Sequence, residues 1–281
     1  MRTLGEVLRL STAHLERNGS PTARLDAELL LGHALELGRV ELYTGFERPL
    51  SEAELAACRE LIGRRAKREP VAYILGRWGF RGLDLEVDPR VLVPRPETEL
   101  VVGRCLELVA GAASPAMLDV GTGSGAIALA LASELPEARV TACDVSEDAL
   151  AVARANGERL GIDVEWVESD LFAGLGERRF DLVVSNPPYV AEGELAGLAP
   201  EVRDWEPRGA TVAGRTGLEV IARLAAEARV ALEPGGAVVL EVGAGQAGAA
   251  ERLLEEAGIT DIGCERDHAG IERIVWGRRA E

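Results

Sequence analysis

One stretch limits the folds open to this chain more than any other. It is Ala116-Met117-Leu118-Asp119-Val120, then Gly121-Thr122-Gly123-Ser124-Gly125, then Ala126-Ile127-Ala128-Leu129-Ala130-Leu131. The first apolar run reads as a buried strand, the glycines as a tight turn, and the Ala/Leu run as a helix packed back on the strand. A strand that passes into a helix this way belongs to a βαβ unit, and therefore to a parallel sheet covered on both faces. Gly121, Gly123 and Gly125 let backbone come close to a ligand and let the helix lie close to the strand. NAD-binding folds also open on a glycine turn, but the spacing here, G-x-G-x-G, departs from the dinucleotide pattern G-x-G-x-x-G. Asp119 suits an ammonium group or bound waters better than a pyrophosphate.

The same grammar continues downstream. Val140 to Asp144 reads as a second strand, ending on an acid roughly 20 residues after the turn, where a carboxylate accepts from ribose hydroxyls. That placement points to an adenosine ligand and leaves the chemistry open. Ser146, with Glu147 and Asp148, caps the next helix. Val164 to Val167 is the third strand. Beyond it, Asp170 is placed to accept from an adenine amine, or is a plain turn residue, and Leu171 offers backbone and apolar contact. Later come a helix over 218–231 with Leu218, Ile221 and Leu224 on one face, and a Pro234-Gly235-Gly236 turn into strand Ala237–Glu241. A helix over 246–257 and a terminal strand pair, Ile259–Glu265 and Arg273–Trp276, complete the chain. The alternation with two late strands predicts an α/β fold on a seven-stranded sheet.

The chemistry sits at Phe180-Asp181-Leu182-Val183-Val184-Ser185-Asn186-Pro187-Pro188-Tyr189. Leu182 to Val184 reads as a short buried strand, stopped by two prolines that cannot continue a ladder. Asn186 then stands at the strand's carboxyl end, the edge where open α/β sheets bind ligands. The Asn186 side-chain oxygen and the Pro187 carbonyl are two acceptors, and proline brings no competing donor. Together they suit the two hydrogens of one planar NH2 group, with its lone pair left out of plane. Tyr189 is placed to stack on that group, and Pro188 stiffens the turn. An ordinary strand-to-loop turn is the plain alternative for an Asn-Pro pair.

Residues 1 to about 75 read as helices, with Leu4, Val7, Leu8 and Leu15 at helical spacing. Pro21 opens a second segment carrying Leu25, Leu29, Leu30 and Leu37, and Ser51 caps a helix through Leu55, Leu61 and Ile62. That helix ends in Arg64-Arg65-Ala66-Lys67-Arg68, read as a solvated helix end, with contact to an RNA or an acidic partner as the alternative. Glycines 76, 79 and 82 and the alternating Leu83–Val87 predict a hairpin. In Val91-Leu92-Val93-Pro94-Arg95-Pro96-Glu97-Thr98-Glu99, Pro96 suits a first helical position, with Glu97 and Glu99 behind it. As structure the stretch is a helix start, and as function it is a candidate wall of a ligand pocket or substrate channel. Asp204-Trp205-Glu206-Pro207-Arg208 lies in a glycine-dotted stretch expected to be an irregular loop over the site. The domain boundaries that follow are a helical domain at 1–75, a hairpin linker at 76–93 and a catalytic domain at 94–281.

Charge is unevenly spread. The net charge is −16, from 31 Lys+Arg and 47 Asp+Glu; residues 1–90 hold 14 of each, so the whole acidic excess lies on the part that carries the motif. Such a surface disfavours a general grip on nucleic acid phosphates. Cys58, Cys105, Cys143 and Cys264 are scattered, with no C-x-x-C pair, so neither a zinc site nor a disulfide framework is indicated. Met1 to Ser11 has no apolar h-region and no run is long enough to span a bilayer, so a cytoplasmic protein is expected.

Asn-Pro-Pro-Tyr resembles the amino-methyltransferase signature. Together with Val93-Pro94-Arg95-Pro96-Glu97-Thr98-Glu99, Asp119 to Gly125, the Asp204-to-Arg208 segment and Asp267-x-x-Gly270-x-x-Arg273, the chain resembles the HemK/PrmC family over nearly its whole length. These are protein-(glutamine-N5) methyltransferases of peptide chain release factors. The resemblance implies a class I S-adenosylmethionine-dependent fold, Rossmann-like, with an N-terminal helical domain joined by a hairpin, and S-adenosylhomocysteine as product. It implies donor contacts from Gly121, Thr122, Gly123, Ser124, Gly125, Asp144, Asp170, Leu171 and Asn186. The glutamine of a Gly-Gly-Gln loop would be held by Asn186, Pro187, Pro188 and Tyr189. Leu171 is a departure, since some members carry Trp there, which leaves its donor contact backbone and apolar. A monomer with no direct nucleic acid contact and no membrane is expected. Because Asn-Pro-Pro-Tyr also occurs in DNA and RNA methylases, a nucleic acid base or a ribosomal-protein glutamine remains as an alternative substrate.

Overall fold

The structure, a computed structural model, describes residues 2–281. Its chain divides into two compact units, residues 1–77 with 199–205, and residues 78–198 with 206–281.

The first unit is helical: α1 (Leu4–Arg17), α2 (Ala23–Leu35), α3 (Arg39–Thr44), α4 (Glu52–Ala66) and α5 (Val71–Leu75). Local chemistry sets two of the starts. Thr3 and Glu6 form a reciprocal capping box on α1, and Ser51 and Glu54 another on α4. Leu4, Leu8, Leu15, Leu30, Leu31, Leu42 and Leu55 fill the interior. Leu25 faces solvent at 44 % exposure, while Asp26 and Glu28 of the same helix are buried. One expectation is corrected here: the basic run is not a solvated helix end. Arg65 is 4 % exposed and pairs with Asp26 at 2.6 Å and with Glu201 at 2.8 Å. Arg68 reaches Glu201 at 2.6 Å and Arg64 reaches Glu69 at 2.5 Å. A buried guanidinium is tolerated because each face meets a carboxylate. Glu201 lies on helix α9 (Pro200–Trp205), in the segment that joins this unit.

The second unit begins with the hairpin, β1 (Arg77–Phe80) and β2 (Leu83–Glu86), followed by α6 (Pro96–Leu108) with Pro96 at its first position. Phe80 and Leu85 are buried in this unit's core. Next come β3 (Ala116–Val120), α7 (Ala126–Glu134), β4 (Arg139–Asp144), α8 (Glu147–Leu160), β5 (Glu165–Glu168), β6 (Phe180–Ser185) and β7 (Val190–Ala191). After α9 follow α10 (Arg208–Thr211), β8 (Val212–Gly214), α11 (Glu219–Ala231), β9 (Leu232–Glu241), α12 (Ala247–Glu256), β10 (Ile259–Arg266) and β11 (Glu272–Arg279). The stretch expected to be irregular is therefore two short helices and a strand, β8, paired with β7.

The main sheet has seven strands in the order β10-β11-β9-β6-β3-β4-β5, parallel except at β11, which is antiparallel to both neighbours. Side chains alternate between its faces. Met117, Leu182, Val184 and Val239 join the α6–α7 core, and Leu118, Val183, Val238 and Leu240 join the α11–α12 core. Both faces are covered, which is why the central strands read as continuous apolar runs. The chain winds outward from β3 through β4 to β5, then returns to place β6 on the other side of β3. That reversal opens a crevice at the carboxyl ends of β3 and β6, where such sheets bind ligands.

Candidate active site

A cavity of about 430 Å³ lies at that crevice. Its floor is the glycine turn. Gly121 and Gly123 have φ of +74° and +57°, and a Cβ built on either meets no atom within 4 Å. Both positions thus need glycine for the left-handed backbone, and both leave room over it. Gly125, with φ +83°, has a different task. A Cβ there would lie 3.0 Å from Leu129 and 3.1 Å from Trp166, so it is the close-packing glycine between helix and sheet, and it does not line the cavity.

Asp119 does not reach the cavity. It is fully buried under the turn, where its Oδ2 accepts from Thr122 Oγ1 at 2.7 Å and from the Ala128 amide at 3.2 Å. Burial pushes its carboxyl up to about 7. Its Oδ2 braces the turn from beneath, while its buried Oδ1 has no partner among the described residues. Asp144 does line the cavity. Its two oxygens accept from the Gly123 and Ser146 amides, both at 2.9 Å. Those bonds fix the carboxylate at the end of β4 and leave lone pairs for a diol.

Thr122, Ser124, Asp170 and Leu171 line the same cavity. Leu171 has φ +51°, and its carbonyl accepts from Ser169 Oγ at 2.7 Å, so the backbone there is set by the neighbouring serine. Asp170 pairs with Arg223 at 3.0 Å, both side chains about half exposed. Arg223 and Val145 also line the cavity and were not singled out from sequence, whereas Leu92, Pro94 and Thr98 come from the stretch 91–99 read as a pocket wall. Val145 is 69 % exposed, an apolar surface beside Asp144.

The other wall is the Asn-Pro-Pro segment. Asn186, Pro187 and Pro188 line the cavity. Asn186 Nδ2 donates to Thr98 Oγ1 at 3.2 Å, and Thr98 Oγ1 donates to Glu241 Oε2 at 2.6 Å. With its nitrogen engaged, the amide leaves its oxygen for a ligand. Tyr189 does not line the cavity. Its ring lies against Gly243, where a Cβ would come within 3.0 Å, and its carbonyl accepts from Gln246 Nε2 at 2.8 Å. Burial and the nearby Glu241 push the Tyr189 phenol above its ordinary value. Pro207, Gly209 and Ala210 complete the wall, while Arg95 holds Glu206 at 2.5 Å.

Glu241 and Gln246 are the residues that sequence reasoning missed, and Thr98 stands out from sequence only as part of the stretch 91–99 read as a pocket wall. A signal existed for Glu241, because β9 ends on an acid as β4 does. Thr98 stands inside the Arg95–Glu99 segment, but nothing local assigns its hydroxyl. Among the described residues no cluster of His, Cys, Asp and Glu suits a metal ion, and no helix is long and apolar enough to cross a membrane.

Donor fit can be judged from the cavity itself. The space over Gly121 and Gly123, the fixed Asp144 carboxylate and the apolar Val145 and Leu171 match the glycine-cradled tail, ribose and base of an adenosyl ligand. Comparison with known proteins agrees. Residues 6–76 match the model of the PrmC N-terminal domain, and residues 103–199 match that of the methyltransferase small domain. Among solved structures, a methyltransferase from Pyrococcus furiosus superposes with a TM-score of 0.54 at 24% identity, covering 71% of this chain and 90% of that one. A T. thermophilus 16S rRNA methyltransferase in complex with AdoMet and guanosine gives 0.55 at 20% identity, covering 72% of this chain and 49% of that one. These likenesses establish the fold, a class I methyltransferase sheet. The release factor glutamine methyltransferase of Geobacter sulfurreducens is 46% identical over 98% of this chain and 96% of its own length. That of Deinococcus radiodurans is 44% identical over 99% of each. Likeness of this depth along both chains, on a site built around Asn186 and a glycine turn, places the chain in the family of release factor glutamine methyltransferases.

Proposed function

We infer that the chain moves the methyl group of S-adenosylmethionine to the side-chain amide nitrogen (N5) of the glutamine in the Gly-Gly-Gln motif of peptide chain release factors. The observation that carries this reading is the meeting of two walls in one cavity. The turn at Gly121–Ser124 with Asp144 suits the donor, and Asn186 with Pro187 suits a planar NH2 group.

Gly121, Thr122, Gly123 and Ser124 would hold the donor's amino-acid tail, Asp144 its ribose, and Asp170, Leu171 and Val145 its base. When bound, S-adenosylmethionine supplies an electrophilic methyl on a sulfonium. The chain's own residues deal with the other difficulty, that an amide nitrogen is a poor nucleophile because its lone pair is delocalised into the carbonyl. Asn186 Oδ1 and the Pro187 carbonyl each accept one N–H of the amide, which holds the nitrogen with its lone pair out of plane toward the donor side. Positive charge then develops on that nitrogen beside two preorganised acceptors, the mirror image of an oxyanion hole. No side chain need remove a proton beforehand, since the N–H becomes acidic only as the new N–C bond forms at the expense of the S–C bond. Its proton then leaves to water or through Asn186, and S-adenosylhomocysteine is the co-product.

The helical unit, family-matched over residues 6–76, is assigned to gripping the release factor away from the loop. The acidic excess on residues 91–281 suits a protein loop with basic flanks and repels free nucleic acid. A monomeric enzyme acting in the cytoplasm is the setting this reading implies.

The test is methyl transfer from labelled S-adenosylmethionine to a purified release factor, beside its Gly-Gly-Gln glutamine-to-alanine variant and a duplex DNA. Label on the wild-type factor alone is the expected result. Label on both factor proteins moves the target residue, and label on DNA alone overturns the reading.

A further inference from the structure

Asn186 can serve an NH2 acceptor only if its amide presents oxygen, not nitrogen, to the cavity. The two ends of the amide are almost the same shape, so packing cannot choose between them. Something must hold the amide by its nitrogen. The sheet register supplies the candidate. Ser185 of β6 pairs with Leu240 of β9, so the next residues along, Asn186 and Glu241, come out side by side at the strands' carboxyl ends. Thr98, in the first turn of α6, stands between them, bonded to Asn186 Nδ2 at 3.2 Å and to Glu241 Oε2 at 2.6 Å. Thr98 and Glu241 are 4 % and 2 % exposed, so water does not compete for these bonds.

A carboxylate can only accept. Thr98 must therefore give its one hydroxyl proton to Glu241, and the hydroxyl oxygen is left to accept. The only atom of Asn186 that can meet an acceptor is the NH2. The direction of every donor is thus fixed from the ionised end. If the carboxyl were protonated, it would donate to Thr98, whose own proton would be released toward Asn186. The amide would then turn its oxygen inward to Thr98 and its NH2 outward, where it would repel the substrate's N–H groups.

We propose that Glu241 and Thr98 are positioning residues which, through this directed chain, hold the Asn186 amide with its oxygen toward the acceptor nitrogen. The proposal rests on the methyl-transfer reading above. The groups facing the Glu241 carboxyl are Glu97 of α6, Arg95 just before it, Arg273 of β11 and Tyr189 after β6. Burial and Glu97 outweigh the two arginines and the Thr98 bond, and the carboxyl is pushed up to about 7. The relay is accordingly switched on as pH rises through neutrality.

A merely structural Thr98–Glu241 bond, one that pins α6 to the sheet, makes different predictions. The experiment measures kcat and both KM values for release factor methylation from pH 5.5 to 9 in wild type, Glu241→Gln, Thr98→Val and Thr98→Ser. Alongside, it follows the Asn186 side-chain amide resonance, identified by its loss in Asn186→Ala, over the same pH range. Wild type should show kcat rising through neutral pH together with a shift of the Asn186 resonance. Glu241→Gln and Thr98→Val should lose about tenfold to a hundredfold in kcat at pH 8, with donor KM within twofold. Their acid limb and the resonance shift should vanish, and Thr98→Ser should retain both. If Glu241→Gln and Thr98→Val keep wild-type kcat and pH profile, or the Asn186 resonance in wild type ignores pH, the relay is wrong. If wild type labels no release factor while the Asn186 resonance still follows Glu241, the functional reading is at fault and the relay stands.

Discussion

The two walls of the cavity, proposed above to hold the donor and the acceptor amide, are built by opposite strategies. The proposed donor wall is local. Gly121 to Gly125, Asp119 beneath them and Asp144 one strand along are joined by bonds spanning 3, 9 and 21 residues. The acceptor wall is assembled at long range. Asn186 meets Thr98 across 88 residues, Thr98 meets Glu241 across 143, and Gln246 meets the Tyr189 carbonyl across 57. A turn that binds one ligand shape can be encoded in a single peptide. A side chain that must offer one chosen atom of a nearly symmetric amide needs outside partners to choose it.

The comparison breaks most visibly at Asn186. Asn186→Ala removes the chosen acceptor and should lower kcat by about 10² to 10³, by analogy with loss of one preorganised hydrogen-bonding group. Donor affinity, measured by calorimetry, should fall far less than kcat, because the glycine turn and Asp144 are intact and only the Asn186 contact is lost. A variant that keeps near-full turnover at saturating substrate would remove Asn186 from the chemistry.

Next in size is a pair of buried carboxyls. Asp119 and Glu241 both lie at strand ends, and both are pushed up to about 7 by burial. Only Glu241 bonds toward Asn186. Between the unfolded carboxylate value, near 4, and 7, the folded chain keeps a proton that the unfolded chain has released. Stability therefore falls as pH rises across that window, by about 1.4 kcal/mol per pH unit at the steepest for each group. Asp119→Asn keeps an oxygen for Thr122 and Ala128 but cannot ionise. Relative to wild type it should gain a few kcal/mol between pH 5 and pH 8 in urea unfolding, and its kcat profile should keep the wild-type shape. Parallel unfolding curves would mean that Asp119 ionises in the fold as readily as in the unfolded chain.

Support for the acceptor wall can be probed from behind. Gly217 has φ +80°, and a Cβ on it would lie 2.5 Å from the Tyr189 carbonyl and 2.9 Å from Gln246 Nε2. Gly217→Ala should destabilise by about 1–3 kcal/mol and lower kcat, leaving donor binding unchanged. A loss of stability with kcat intact would show that the Tyr189 backbone can shift without disturbing Asn186.

The same division explains what the sequence disclosed. The strand–turn–helix at 116–131, the acid at Asp144 and the prolines after Asn186 announce themselves because their causes lie within a few residues. Central strands betray burial on both faces by unbroken apolar runs. Arg65 looked like a solvated helix end because one partner, Asp26, lies 39 residues before it, and Glu201, which it shares with Arg68, lies 133 residues beyond the latter. The segment around Trp205 looked irregular because its helices, of 6 and 4 residues, are too short to display a 3.6-residue period. Thr98 was legible as part of a helix start that could wall the pocket, and Glu241 only as a strand end. Their bond to each other is a product of sheet register, which no local pattern records.

The smallest effect tests the donor wall alone. Gly123 has φ +57° and its built Cβ meets no protein atom within 4 Å. Two consequences separate in Gly123→Ala. An alanine in the left-handed region costs about 1 kcal/mol of stability, since no neighbour must move. The added methyl, and any tilt of the amide that donates to Asp144 at 2.9 Å, falls on the donor side. About 1.4 kcal/mol of lost contact there is a tenfold rise in donor KM, with kcat at saturating donor within twofold of wild type and release factor KM unchanged. A fall in kcat at saturating donor would mean that the turn also sets the line of attack, and that the two walls act as one.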